Sequence, residues 1–207
     1  MNNEEKYLIT PSLLNAWGWI WNCEDSVRET ENDMISLEDK IALTRKKAFE
    51  DFLNALKRIP SEPNEYMKAG IEFEEECYKG NTCISPIIEG GAYQIVGTKD
   101  VEVNGMKFLM YGRLDVLKCG IIYDIKRIWK YSLPKYAKSY QHQFYFELFP
   151  NAYKFEYLAF DGDKLHREVY FPEKNERYIE GVIALFINWL KENGLLEIYK
   201  AKWKSIK

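Results

Sequence analysis

The sequence predicts an α/β (α+β) chain with a central mixed β-sheet that contains an antiparallel meander. Helices flank the sheet, and a helical elaboration precedes it. Three observations carry this. Apolar residues recur at helical spacing as far as Lys79, alternate with period two from Tyr93 to about Ile128, and return to helical spacing after Leu133. Asn104-Gly105 and Cys119-Gly120 each sit between apolar runs, the signal of a two-residue hairpin loop. Two more strand-like runs, Ala152 to Phe160 and Leu165 to Phe171, flank Asp161-Gly162.

Thr10-Pro11-Ser12 reads as a helix start, with Thr10 as the cap and Pro11 in the first turn. Leu13, Leu14, Trp17, Ile20 and Trp21 form its apolar stripe. Residues 24 to 37 are polar and acidic and read as a loop. Leu37 to Ile59 reads as a long helix, broken by SEPN at 61 to 64. A shorter helix from Glu65 to Lys79 carries Glu72, Glu74, Glu75 and Glu76, a run that by itself reads as a solvated face. Strands from Tyr93 to Val103 and from Met106 make the first hairpin. Leu133-Pro134 opens a helix to about Phe149, stopped by Pro150, with Gln141 and Tyr145 four apart on one face. Glu173 to Asn193 is the last amphipathic helix, stopped by Gly194, and a short C-terminal helix contains Trp203.

At 207 residues and 46% hydrophobic content, one well-cored domain is expected: a helical elaboration over 1–65, a core over 66–190 and a helical tail over 191–207. No apolar run approaches the length of a membrane span, and MNNEEKYLIT lacks the basic and apolar regions of a signal peptide. No membrane partner and a cytoplasmic location are therefore expected. The net charge of -3 argues against an indiscriminately basic nucleic-acid coat. A local basic track remains, because seven basic residues and two acidic ones lie between Arg113 and Lys138. Cys23, Cys77, Cys83 and Cys119 form no CxxC, and the histidines are only His142 and His166, so neither a zinc site nor an iron–sulfur cluster is expected.

The chemistry concentrates in Gly112 to Ile128, GRLDVLKCGIIYDIKRI. With Cys119-Gly120 as the loop, Lys118 faces Ile121, Asp115 counts opposite Asp124, and Arg113 opposite Lys126. Asp124 and Lys126 share a face because side chains alternate. The even positions Met106, Phe108, Met110, Leu114 and Val116 read as one buried face. Like charges opposed across a sheet destabilise it. Either neighbouring Arg113 and Lys126 neutralise the aspartates, or a divalent cation sits between them; Mg²⁺ takes one or two carboxylates plus water and phosphate oxygens.

Glu74, Asp115, Asp124-Ile125-Lys126 and Gln141-x-x-x-Tyr145, in that order, resemble the motifs of the PD-(D/E)XK nuclease superfamily, in its RecB-type and phage-type exonuclease branch. LITPSLLNAWGWIWNC resembles the segment that opens many RecB-like nuclease domains, so the likeness runs over roughly residues 7 to 190. The resemblance implies a restriction-endonuclease-like core and metal-dependent hydrolysis of DNA, with Mg²⁺ or Mn²⁺ as the cofactor. It implies Asp115, Asp124 and the carbonyl of Ile125 as metal ligands, with Glu74 as a further one and Glu75 or Glu76 as fallbacks. Lys126 is then the catalytic lysine, and Gln141 and Tyr145 contact DNA. Arg113, Arg127, Lys130, Lys135 and Lys138 are candidates for the phosphate track, with Tyr136 and Tyr145 as candidates for stacking. The position held by Glu74 is His in many RecB-like members, and the cysteines of the iron–sulfur branch are missing. The implied function is an exonuclease of phage-type recombination or replication, in the host cytoplasm if phage-encoded. The rivals are a structure-selective endonuclease and a non-catalytic DNA- or protein-binding module. The partners expected are DNA and either a second copy of the chain or a recombination protein.

Overall fold

The computed structural model describes residues 5–27, 35–60, 62–174 and 177–205. A mixed six-stranded sheet forms the centre, made of β1 (Lys6–Ile9), β2 (Ala92–Val103), β3 (Met106–Lys118), β4 (Ile121–Arg127), β5 (Lys154–Phe160) and β6 (Leu165–Tyr170). Helices α1 (Pro11–Asn22), α2 (Leu37–Leu56), α3 (Glu65–Tyr78), α4 (Ser85–Ile88), α5 (Gln141–Leu148), α6 (Tyr178–Glu192) and α7 (Leu196–Lys202) flank it. The mixed sheet, its flanking helices and the N-terminal helical extension agree with the sequence reading.

β2, β3 and β4 are the antiparallel meander, β5 joins β4 in parallel through a connection containing α5, and β6 returns antiparallel. β2 follows one edge of β3 from Met106 to Leu117. The other edge of β3 is shared: β1 pairs in parallel with Lys107 to Met110, and β4 begins only at Val116. β1 has no counterpart in the sequence reading. It is four residues long, and its partners lie about a hundred positions away, so no local turn announces it.

Successive residues of β4 and β5 point to opposite faces. The larger core therefore takes Ile122, Phe155 and Tyr157, together with Leu13, Trp17, Phe52, Phe144, Phe186 and Tyr199 from the helices. The smaller core takes Tyr123, Ile125 and Leu158 with Cys77, Ile84 and Ile88. Thr10 caps α1 as read, its hydroxyl accepting from the amide of Leu13 at 3.3 Å. Asn64 caps α3 in the same way through Met67 at 2.9 Å.

Several boundaries differ from expectation. The expected loop over 24 to 37 falls partly outside the described residues, and its first part, Cys23–Ser26, is a 3₁₀ turn. The helix expected from Glu173 starts at Tyr178. The helix expected from Leu133 starts at Gln141, because the preceding backbone finds its partners elsewhere. The buried carboxylate of Glu168 accepts from the amides of Lys135 and Tyr136, both at 2.9 Å, from the Tyr131 hydroxyl at 3.0 Å, and from Tyr170. Burial opposes the charge on Glu168, yet these donated bonds hold its pKa below the ordinary carboxylate value. Residues 129–140 thus form an anchored loop rather than a helical turn.

His142, 5% exposed, stacks on Tyr170 with ring centroids 4.0 Å apart. Burial pushes its pKa down to about 4, against a weaker upward pull from Glu168. The fold therefore favours the neutral ring, while an unfolded histidine takes its proton near 6.5. Stability should be lost as pH falls from about 6.5 to about 4, by about 3 kcal/mol from this residue. Urea midpoints across that range should fall less steeply in His142→Phe than in the parent, and identical slopes would exclude the assignment.

Candidate functional site

The ladder between β3 and β4 has three pairs, Val116–Tyr123, Leu117–Ile122 and Lys118–Ile121, closed by Cys119-Gly120 with φ of 49° and 75°. Both loop residues are left-handed, which matches the right-handed twist of the strands. Beyond Val116 the strands part. Asp115 and Asp124, next by count, do not form a ladder pair as the sequence count has them. Instead Asp115 Oδ2 accepts from the amide of Ile125 at 2.8 Å, so the carboxylate fills the opening as a backbone partner. Arg113 and Lys126 do not pair either; Arg113 pairs with Val96 on β2.

The same place is irregular on the β2 side. Gln94, counted opposite Asp115, is skipped by the ladder between Tyr93–Val116 and Ile95–Leu114, and its φ is 54°. A left-handed non-glycine residue costs on the order of 1 kcal/mol, so the surrounding pairs over-determine it. Leu114 packs in the larger core and Val116, two residues on, in the smaller. The face expected to be continuous through the even positions of β3 therefore changes sides at Asp115.

Asp124, 3% exposed, points from this fork into the α5 side of the sheet. Its Oδ1 accepts from Gln141 Nε2 at 2.5 Å, and its Oδ2 lies 2.6 Å from Lys126 Nζ. That Oδ2 is buried, and the lysine ammonium is its close charge partner. Burial, then the negative charge of Asp124, raises the pKa of Asp115 to about 8, with Lys126 pulling the other way. Burial also raises Asp124, against Lys126 and Gln141. Burial would lower Lys126, but the two aspartates outweigh it and hold its pKa above the ordinary lysine value. One ammonium thus offsets one carboxylate, and the second carboxylate has its charge disfavoured.

Glu74 approaches from α3, on the opposite side of the sheet. Its Oε1 accepts from Tyr78 Oη and from Gln94 Nε2, both at 2.5 Å, and Tyr78 Oη lies 3.5 Å from the carbonyl of Asp115. Glu74 adds to the raised pKa of Asp115. Glu75 is exposed, and Glu76 is taken by Lys79 and Asn81 at 2.8 and 2.7 Å, so neither fallback is placed as Glu74 is. Among the described residues, no three His, Cys, Asp or Glu side chains converge as a ready-made cage for a metal ion. Tyr78 and Gln94 were missed in the sequence. Counting back through Asn104-Gly105 places Gln94 opposite Asp115, and Tyr78 lies one helical turn after Glu74, so spacing alone holds the signal.

The expected substrate contacts divide. Gln141 holds Asp124. Tyr145, expected at DNA, is 4% exposed; it stacks on Phe155 and its hydroxyl donates to the carbonyl of Arg113 at 2.6 Å. Tyr136, expected to stack on a base, already stacks on Tyr157, with centroids 4.1 Å apart. Lys138 pairs with Asp25 at 2.6 Å. Arg113 and Lys130 are exposed. The Arg127 guanidinium donates to the carbonyls of Ile128 and Phe160. A cavity of about 760 Å³ opens elsewhere, beside Thr98, Gln143, Phe146, Glu147 and Tyr178; no carboxylate of the fork lines it.

No family model and no curated protein matches the sequence. A solved structure, the crystal structure of SSO0001, is similar with a TM-score of 0.50 and 17% sequence identity, covering 92% of this chain and 78% of its own. At that identity the likeness is one of fold.

α5 sits close to the sheet because two glycines lie beneath it. Gly97 and Gly112 are paired across β2 and β3, and a Cβ on Gly112 would stand 2.7 Å from Tyr145 Cε1 and 2.9 Å from Leu148 Cδ1. Gly112→Ala should push Tyr145 outward, take Gln141 away from Asp124, and cost about 1–3 kcal/mol in urea unfolding. A variant as stable as the parent would show that α5 is not seated on this glycine.

Proposed function

We propose that the chain is a metal-dependent DNA exonuclease with a restriction-endonuclease-like core, of the PD-(D/E)XK type and its RecB-type or phage-type branch. The observation that carries the reading is the fork itself: a buried and a half-buried aspartate that repel each other, beside a charged lysine, with the glutamine of the fourth motif seated on the buried one.

The donor set suits Mg²⁺ or Mn²⁺. These ions take hard oxygen ligands and use one or two carboxylates together with water and substrate phosphates, rather than a protein cage. Asp124 Oδ2, buried with the Lys126 ammonium beside it, and the strained charge of Asp115 fit such a cation. Asp115, Asp124 and the carbonyl of Ile125 would hold it, with Glu74 supporting from α3. When bound, it supplies a more acidic water and charge stabilisation on the phosphate.

The remaining chemistry belongs to side chains of this protein. Lys126 is held charged by the aspartates, so it stabilises negative charge developing on the phosphate or orients a water; its raised pKa makes it a poor base at neutral pH. Its side chain is 34% exposed, which lets it meet a substrate while touching Asp124. Gln141 keeps the Asp124 carboxylate in one orientation. Arg113 and Arg127 flank the fork residues in sequence, Lys130 and Lys135 lie on the loop after β4, and together these cations favour a polyanion.

Linear and covalently closed DNA incubated with protein in Mg²⁺, Mn²⁺ or EDTA test this reading. Progressive, metal-dependent loss of linear DNA alone is expected; cutting of closed circles would replace the exonuclease with an endonuclease, and binding without cleavage would leave a binding module. Asp124→Asn and Lys126→Ala should each lower the rate by about 10²- to 10³-fold with unchanged circular dichroism. Wild-type rates in either would overturn the site. Independently of turnover, Mn²⁺ should raise the melting temperature of the parent and leave that of Asp124→Asn unmoved.

A further inference from the structure

The side chains expected to stack on bases, Tyr136 and Tyr145, are occupied within the fold. Two other aromatics stand at the surface, on the two segments that carry Lys126 and Glu74. Trp129 is 70% exposed and Tyr66 is 63% exposed, and their rings meet edge to face with centroids 5.6 Å apart and an interplanar angle of 85°. Single exposed aromatics are ordinary on a protein surface. These two differ in that they come from separate segments, meet each other, and are tied by the chain to the site: Trp129 is three residues after Lys126, and Tyr66 is in the first turn of the helix that carries Glu74.

We propose that Tyr66 and Trp129 form a stacking platform for unpaired bases of a DNA strand leading into the fork, which makes single-stranded or frayed DNA ends the substrate class. The proposal rests on the nuclease reading and goes further than it. An aromatic ring offers a base a π-face only when that base is free of its own helix; in a duplex the bases are already stacked inside. The charge around the platform suits a phosphate backbone on the loop side. Arg127 sits 5.6 Å from the Trp129 ring centroid, within cation–π distance, and is fixed there by the carbonyls of Ile128 and Phe160 at 2.6 and 3.0 Å. Lys130 follows in sequence and is exposed, and Lys135 reaches the carbonyl of Lys130 at 3.3 Å. α3 carries Glu65 and Glu72 beside Lys68, so the net positive charge available to the backbone lies on the loop. An anchored loop and a helix start hold both rings without need of the ligand, which limits the ordering cost of binding.

The test is fluorescence anisotropy in EDTA with a labelled 20-nucleotide oligo-dT and a labelled blunt hairpin duplex. The proteins are the parent, Tyr66→Ala, Trp129→Ala, Trp129→Phe and, as a remote control, Tyr153→Ala. Tyr66→Ala and Trp129→Ala should each weaken oligo-dT binding by about 5- to 100-fold, leave duplex binding within about twofold, and melt as the parent does. Trp129→Phe should retain most of the affinity, and Tyr153→Ala should retain all of it. Equal losses on both DNAs, or parental affinity in the two alanine variants, would overturn the platform; metal-dependent cleavage by the parent would then still stand. A parent that neither binds nor cuts DNA would remove the nuclease reading and this inference with it.

Discussion

The structure depends on a ladder that stops. β3 is long enough to hold three neighbours, and β1 and β4 divide one of its edges between them. Between Met110 and Val116 that edge has no strand partner among the described residues. Backbone groups in such a gap must be satisfied or remain exposed to water. Here Tyr145 takes the carbonyl of Arg113, and the Asp115 side chain takes the amide that β4 would otherwise offer to a strand. The opening gives the two sides of the sheet access to one point. Gln141 arrives from the α5 layer and Glu74 from the α3 layer, which a regular, closed sheet would keep apart.

The opening also accounts for the electrostatics. Asp124 and Lys126 alternate onto one face of β4, as any strand requires, but the larger core encloses the carboxylate and leaves the ammonium partly in solvent. The pair is thus buried at one end. Removing charge from water at Asp115 and Asp124 together costs more than one lysine returns, so their pKa values rise. Opposed charges of this kind are strained in the resting protein and are relieved by whatever positive charge the site admits.

Much of this was legible in the sequence. Asn104-Gly105 and Cys119-Gly120 announce both hairpins and their register, and the register places Lys118 against Ile121 as the structure has it. The order of Asp115, Asp124, Lys126 and Gln141 was readable too, and the fold brings Gln141 onto Asp124. What was not legible depends on distant contacts. Counting along a hairpin assumes that pairing continues, and nothing local says that it ends at Val116. Helical spacing places Gln141 and Tyr145 on one face but does not say that a pair of glycines draws that face down until Tyr145 is sealed. The start of α5 was misread because Glu168, some thirty residues later, holds the amides of Lys135 and Tyr136 in a loop, a contact that no local spacing announces.

Glu168 has one more consequence. It grips the loop chiefly by the main-chain amides of Lys135 and Tyr136, and every residue type except proline carries such an amide. The course of the loop is therefore largely uncoupled from the identity of its outward side chains. Trp129, Lys130 and Leu133 can be exchanged with little change to the scaffold beneath them. Variation among descendants of this chain should collect there while the sheet stays constant.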